Sequence, residues 1–169
     1  MPESPFLIVL RGNSGSGKSS VARALREQFG YGLAWVEQDY LRRVLLREHD
    51  ISDGKNIGLI ELNTRYALEA GYVTVLEGIL NAAHYGEMLS RLHAEFGGHW
   101  YYFDLSFHET VKRHATRPQA QQFTPEQMRN WYQERDLLPF VQERLITPES
   151  TLDETVKRIV LEVGLSPHS

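Results

Sequence analysis

Phe6-Leu7-Ile8-Val9-Leu10-Arg11-Gly12-Asn13-Ser14-Gly15-Ser16-Gly17-Lys18-Ser19 decides the fold of this chain. Its second half satisfies G-x-x-x-x-G-K-[ST], the phosphate-binding loop, whose glycines let the backbone curl around an anion with its N–H groups aimed inward. Phe6 to Leu10 is an apolar block suited to a buried central strand. Past the loop, Val21, Ala22, Leu25 and Phe29 form an apolar stripe at helical spacing, stopped by Gly30. The helix that opens near Lys18 adds unpaired N–H groups and a positive dipole end to the same anion site. The expected nucleotide-binding set is Gly12, Asn13, Ser14, Gly15, Ser16, Gly17, Lys18, Ser19 and Ser20. Lys18 is placed to bridge β- and γ-phosphates, and Ser19 to ligate Mg²⁺.

Outward from this unit, strand and helix patterns alternate. Leu33 to Val36 reads as a second strand ending in Glu37-Gln38-Asp39, and Tyr40 to Arg47 as a short helix. His49 to Lys55 is polar and reads as a flexible connection. Leu59, Leu62, Tyr66 and Ala67 mark a helix stopped by Gly71. Tyr72 to Leu76 is a third strand closed by Glu77-Gly78, and Tyr85, Leu89, Leu92 and Phe96 give the next amphipathic helix. Trp100 to Phe103 is a fourth strand, and Arg144 to Thr147 a fifth. Between these two strands, Ser106 with Glu109 has capping-box spacing for a helix through Val111 and Ala115. Thr124-Pro125 opens a further short helix, and Thr151 with Glu154 caps a last one carrying Val156, Ile159, Val160 and Val163.

This alternation predicts an α/β fold with a five-stranded parallel sheet and helices on both faces. Ligands of such sheets collect beyond the carboxyl ends of the strands. With 169 residues and 41% hydrophobic content, one domain spanning 1–169 has enough chain for a core. No 18-residue apolar run occurs, and the start of the chain lacks a basic leader, so neither a membrane span nor a signal peptide is expected. Zero cysteines exclude disulfides, a thiol nucleophile and a cysteine-ligated metal, and fit a reducing, cytoplasmic setting. A net charge of −4 argues against broad nucleic-acid binding.

Residues just past each strand are the candidates for chemistry. Asp39 can accept a proton from an acceptor hydroxyl, or cap the helix that follows it. Arg42, rather than Arg43, lies one turn on from Asp39 on nearly the same face and is the expected substrate ligand; Arg43 can be a solvated residue. Glu77 can hold a water on Mg²⁺ or cap the next segment. Asn81 can hydrogen-bond substrate or serve as an N-cap. Arg113, Arg117, Arg129 and Arg135 surround the polar stretch Gln119 to Gln122, suggesting a lid over roughly 114–135. Within it Arg117, beside the helix-ending Pro118, is the expected catalytic arginine, and His114 reads as a surface residue. Trp131 and Tyr132 suit packing as well as substrate stacking.

In this order the residues resemble the small P-loop kinases of the shikimate kinase and chloramphenicol phosphotransferase group, over the whole chain. Gly12 to Ser19 matches their Walker A motif, and Asp39 the aspartate after their second strand. Asp39-Tyr40-Leu41-Arg42 also looks like the D-x-x-R of adenylylsulfate kinases and phage-type polynucleotide kinases. Gly71-Tyr72 through Leu76-Glu77-Gly78 is similar to the third strand of zeta-toxin-type kinases. The resemblance implies a P-loop NTPase fold with a short arginine-bearing lid, ATP and Mg²⁺ as cofactors, and a small-molecule hydroxyl acceptor. It implies Lys18, Asp39 and Arg117 as catalytic residues and Arg113 as the arginine stacked on adenine. The chain has no N-K-x-D motif, no L-S-G-G signature, and no Leu-Leu after Arg117-Pro118, which turns the reading away from GTPases, transporter ATPases and shikimate itself. The alternatives are a 5′-hydroxyl polynucleotide kinase and a regulatory or toxin-like ATPase.

Overall fold

In the computed structural model, residues 4–166 are described; residues 1–3 and 167–169, the ends of the expected 1–169 domain, lie outside the described residues. Strand β1 (Leu7–Gly12) is buried along its whole length, as a near-continuous apolar run requires of a central strand. With β2 (Leu33–Glu37), β3 (Val73–Gly78), β4 (His99–Phe103) and β5 (Arg144–Ile146) it forms an all-parallel sheet in the order β2-β3-β1-β4-β5. Alternate residues of β1 feed two cores. Ile8 and Leu10 pack with Val21, Leu25 and Phe29 of α1 (Lys18–Phe29) and with Ile159 of α6 (Leu152–Val163). Leu7 and Val9 pack with Ile60 and Leu68 of α2 (Lys55–Glu69) and with Tyr85, Leu89 and Leu92 of α3 (Ala82–Phe96). The sheet is thus covered on both faces.

Register sets the site. Leu10 pairs with Glu77 and Arg11 with Gly78, while Glu37 pairs with Glu77 across the other edge of β3. Glu37 and Glu77 therefore stand side by side at neighbouring strand ends, on the face that Leu10 shares with α1, while Arg11 points to the other face. The strand ends approach so closely at Gly78 that a Cβ there would lie 2.7 Å from Cβ of Gln38. Helix α4 (Phe107–His114), a 3₁₀ turn (Pro118–Gln121) and α5 (Pro125–Trp131) follow β4, and the last two lie in the stretch 114–135 read above as a lid. The caps are as expected: Ser106 accepts from the Glu109 N–H, and Thr124 with Gln127 and Thr151 with Glu154 form reciprocal capping boxes.

Three expectations change. Tyr40–Leu45 is a π-helix rather than an ordinary helical turn, with Leu46 N donating to Leu41 O five residues back. Helix α2 buries Asn56, Ile60, Thr64, Ala67 and Leu68, leaving Leu62 and Tyr66 exposed, so its inner face is turned about one position from the expected stripe. The turn lets Asn56 reach a polar network that the apolar pattern does not register. The connection from 46 to 54 is pinned rather than loose. The Glu48 carboxylate accepts from the backbone N–H and side-chain amide of Asn56, and Asp50 is bonded to His84 and Tyr85.

Candidate active site

The phosphate loop joins β1 to α1. Gly15 and Gly17 have φ of +81° and +96°, and a Cβ on Gly15 would lie 2.5 Å from the Thr110 carbonyl, so only glycine fits there. The N–H groups that open α1, at the end of the loop, have no intrahelical partner and are available to an anion. Lys18 is buried, its Nζ donating to Asn13 O at 2.8 Å and Ser16 Oγ at 3.2 Å. Burial pulls its ammonium down to about 8, offset in part by Glu77 and deepened by Arg117. A buried ammonium held by neutral oxygens alone is poised for an anion.

Ser19 Oγ donates to Glu77 Oε1 at 3.1 Å, bringing the hydroxyl and the acid at the end of β3 together. Burial pushes the Glu77 carboxyl up to about 7; Lys18 and the Ser19 hydrogen bond restrain the rise, and neighbouring Glu37 adds to it. Glu37 is itself raised by burial and by Asp39. Among the described residues no three His, Cys, Asp or Glu side chains are gathered to enclose a metal ion. The donor set of one hydroxyl and one acid suits Mg²⁺, which keeps most of its waters and takes its remaining ligands from phosphate oxygens.

Asp39 makes no capping hydrogen bond. Its carboxylate is paired with Arg43 at 3.0 Å and Arg42 at 3.5 Å. Arg42 also donates to Glu48 O at 2.8 Å. Arg43 is not simply solvated: it donates to Gln122 Oε1 at 3.1 Å and lies over the Phe123 ring at 4.6 Å, joining the π-helix to the lid. Asn81 takes the capping role, accepting from the His84 N–H at 2.8 Å, while its amide reaches Asp50 at 3.4 Å.

Arg117 is half-buried. Its Nη2 donates to His114 Nδ1 at 2.7 Å, its buried Nε has no partner among the described residues, and it feels the charges of Asp39 and Glu77. Burial lowers its guanidinium pKa. His114, expected at the surface, is buried, because Nε2–H donates to Phe123 O at 2.8 Å and so leaves Nδ1 free to accept from Arg117. Arg113 bridges the phosphate loop and the segment after β5, donating to Ser16 O at 3.2 Å and Pro148 O at 3.1 Å. Arg129 lies over Phe107 at 4.2 Å, and Arg135 pairs with Asp104 at 2.8 Å on the surface. Tyr132 packs edge-on to Phe107 and donates to Leu105 O, and Trp131 packs edge-on to Phe123.

Sequence reasoning passed over Arg11, Gln38, Asp50, His84, Tyr85, Asp136 and Glu143. Tyr85 OH, fully buried, joins Gln38, Asp50 and Asn56, tying the end of β2 to α3 and α2. Arg11 is fully buried and donates to Glu143, Asp136 and the Leu80 carbonyl. Leu80 has a φ of +42°, a conformation that a buried leucine adopts only when its surroundings impose it. The available signal was a charged residue closing an apolar strand that is covered on both faces.

Sheet order and loop geometry define the fold of the small P-loop kinases. An adenylylsulfate (APS) kinase of Mycobacterium tuberculosis, solved with AMPPNP and APS, superposes with a TM-score of 0.69 at 19% identity, covering 98% of this chain and 100% of the other. A gluconokinase of Sinorhizobium meliloti superposes with a TM-score of 0.68 at 21% identity, covering 95% and 92%. The tunicamycin resistance protein of Deinococcus radiodurans gives 0.65 at 18% identity, covering 97% and 98%. No protein-family model and no curated protein sequence matches the chain. No helix among the described residues is long and apolar enough to cross a membrane.

Proposed function

We propose that this protein is an ATP-dependent kinase that transfers the γ-phosphoryl group of ATP to a hydroxyl of a small molecule, with Mg²⁺ held by Ser19 and, through water, by Glu77. The observation that carries the reading is convergence. Lys18 is buried against the oxygens of its own loop, the next residue, Ser19, bonds Glu77 at the end of β3, and Lys18 feels the charges of Glu77, Asp39 and Arg117, so the loop, the strand-end acids and an arginine act in one electrostatic neighbourhood.

Each group has a role there. Lys18 leaves the Asn13 carbonyl for the phosphates and spreads the charge of a loose, in-line transition state. Bound Mg²⁺ would offset phosphate charge as the phosphoryl group is transferred. Asp39 accepts the hydroxyl proton of the acceptor once its arginine partners turn to anionic oxygens. Arg117, already inward, neutralises charge and excludes water. Arg42 and Asn81 are assigned to the acceptor, and Arg113, bonded to Ser16 of the phosphate loop, to the nucleotide. The likeness in fold to kinases of APS and gluconate supports a small acceptor. The test is an ATP-consumption screen against metabolites, nucleosides, sugars, antibiotics and a 5′-hydroxyl oligonucleotide, with mass spectrometry of products. A product heavier by one phosphoryl group on a small molecule establishes the reading. ATP loss to free phosphate alone, or labelling of the oligonucleotide alone, overturns it.

A further inference from the structure

The lid is attached to the phosphate loop at both of its roots. On the leading side, Arg113 near the end of α4 donates to the Ser16 carbonyl. On the trailing side, the amide of Asn13 brackets the backbone of Gln133, the residue after the C-cap of α5. Nδ2 donates to Gln133 O at 2.6 Å, and Oδ1 accepts from Gln133 N–H at 2.8 Å. The pair copies a peptide–peptide bridge and satisfies both backbone groups of Gln133, so the side chain of residue 133 is irrelevant to it. Asn13 is itself buried, and its carbonyl is where Lys18 rests. Beyond Gln133 the chain is fixed. The Asp136 N–H donates to Tyr102 OH, and both Asp136 and Glu143 are held by Arg11.

We propose that Asn13 is a positioning residue that couples phosphate occupancy of the loop to the position of the lid. This inference rests on the kinase reading above. When Lys18 turns from the Asn13 carbonyl to phosphate oxygens, the peptide of Asn13 loses its cation, and the change passes through the side-chain bridge to Gln133 and the trailing root of α5. Arg113 transmits the same event to the leading root through Ser16. The lid closes on a nucleotide because both of its hinges are built on the loop that binds the phosphates. Asn13 touches neither reacting group through its side chain, so its effect is on closure.

The test compares wild type with Asn13→Ala, Gln133→Ala and Gln133→Pro in the full chain, using Mg²⁺ and AMPPNP as ligand. Hydrogen exchange of residues 115–131, nucleotide Kd and Tm are measured. In wild type and Gln133→Ala, the ligand slows exchange of the lid by at least about tenfold. In Asn13→Ala and Gln133→Pro that slowing is lost while β1 and α1 keep their protection, and in Gln133→Pro, which leaves the residues of the loop as they are, Kd changes by about threefold or less. Gln133→Pro removes the N–H donor without touching the loop, so it decides the matter if Asn13→Ala folds poorly. Full lid slowing in either bridge-breaking variant overturns the proposal. So does loss of protection throughout the chain, which marks the bridge as structural only. Nucleotide-driven lid slowing that depends on Asn13, with no phosphorylated product from any acceptor, would instead defeat the proposed function and leave the coupling standing.

Discussion

Nη1 of Arg11 sits between the two carboxylate oxygens of Glu143, 2.7 and 2.8 Å away, with neither charge reached by solvent. Arg11 is the last side chain of the central strand before the phosphate loop, and Glu143 immediately precedes β5. The pair closes the ring that starts at β1 and returns through the lid. Removing one member leaves the other buried and uncompensated. Arg11→Met should therefore cost about 3–5 kcal/mol of stability in denaturant unfolding. Glu143→Gln in that background should restore part of the loss, because glutamine still accepts the Leu138 N–H at lower desolvation cost. Additive destabilisation by the two changes would show that they do not act as a pair.

Lys18→Ala should lower phosphoryl transfer by at least about 100-fold, with ATP affinity falling less than turnover, because the ammonium serves mainly the developing charge of the transition state. Turnover within threefold of wild type would remove Lys18 from the mechanism.

Asp39→Asn keeps the size and the hydrogen-bonding oxygen but removes the base, and with it the ion pairs to Arg42 and Arg43. Steady-state kinetics should show kcat down by about 10²- to 10⁴-fold with near-normal ATP binding. A change confined to the KM of the acceptor would make Asp39 a substrate ligand instead.

Glu77 gives the site a pH signature. Its carboxyl is raised to about 7 by burial, so protons compete with Mg²⁺ for it below neutrality. Apparent Mg²⁺ affinity should rise as pH climbs through about 7 and flatten above it, and Glu77→Gln should weaken the affinity and abolish the slope. Stability moves the other way. The folded value lies above the ordinary 4.5, so the contribution of Glu77 is complete below that value and is lost as pH rises through about 7. The Tm of the ligand-free protein should carry this fall between pH 5 and 8, and Glu77→Gln should remove it. A wild-type Mg²⁺ dependence that is flat with pH would contradict the assigned burial.

What was legible in the sequence was what local rules govern. The strand–loop–helix unit at 6–29, the capped helices after Ser106, Thr124 and Thr151, and the five strands are each written in neighbouring residues. So were Asp39 just past β2 and Glu77 at the end of β3, since chain position alone places them at the strand ends. Partners brought together by the fold were not legible. Arg11 meets Glu143 across 132 residues, and Tyr85 joins Gln38, Asp50 and Asn56 from three different elements. The burial of His114 follows from the return of Phe123 over it, which no periodicity in 107–114 encodes. The inner face of α2 was misread because its buried residues include Asn56 and Thr64, polar side chains that an apolar stripe cannot reveal.

The order of strands divides the labour of this molecule along a line between backbone and connections. Phosphate-side groups come from β1, its loop and the end of β3, which are neighbours in the sheet and locked in register. The groups assigned to the acceptor in the proposed function come from Tyr40–Leu45, the 46–54 connection and the start of α3, all strung between strands rather than within them. Such a chassis lends itself to transplantation. On the proposed kinase reading, exchanging 39–54 together with 81–85 for the matching segments of a kinase of this fold should redirect the choice of alcohol while the handling of nucleotide stays as it is, because neither segment contributes a rung to the ladder that holds Lys18, Ser19 and Glu77 in place.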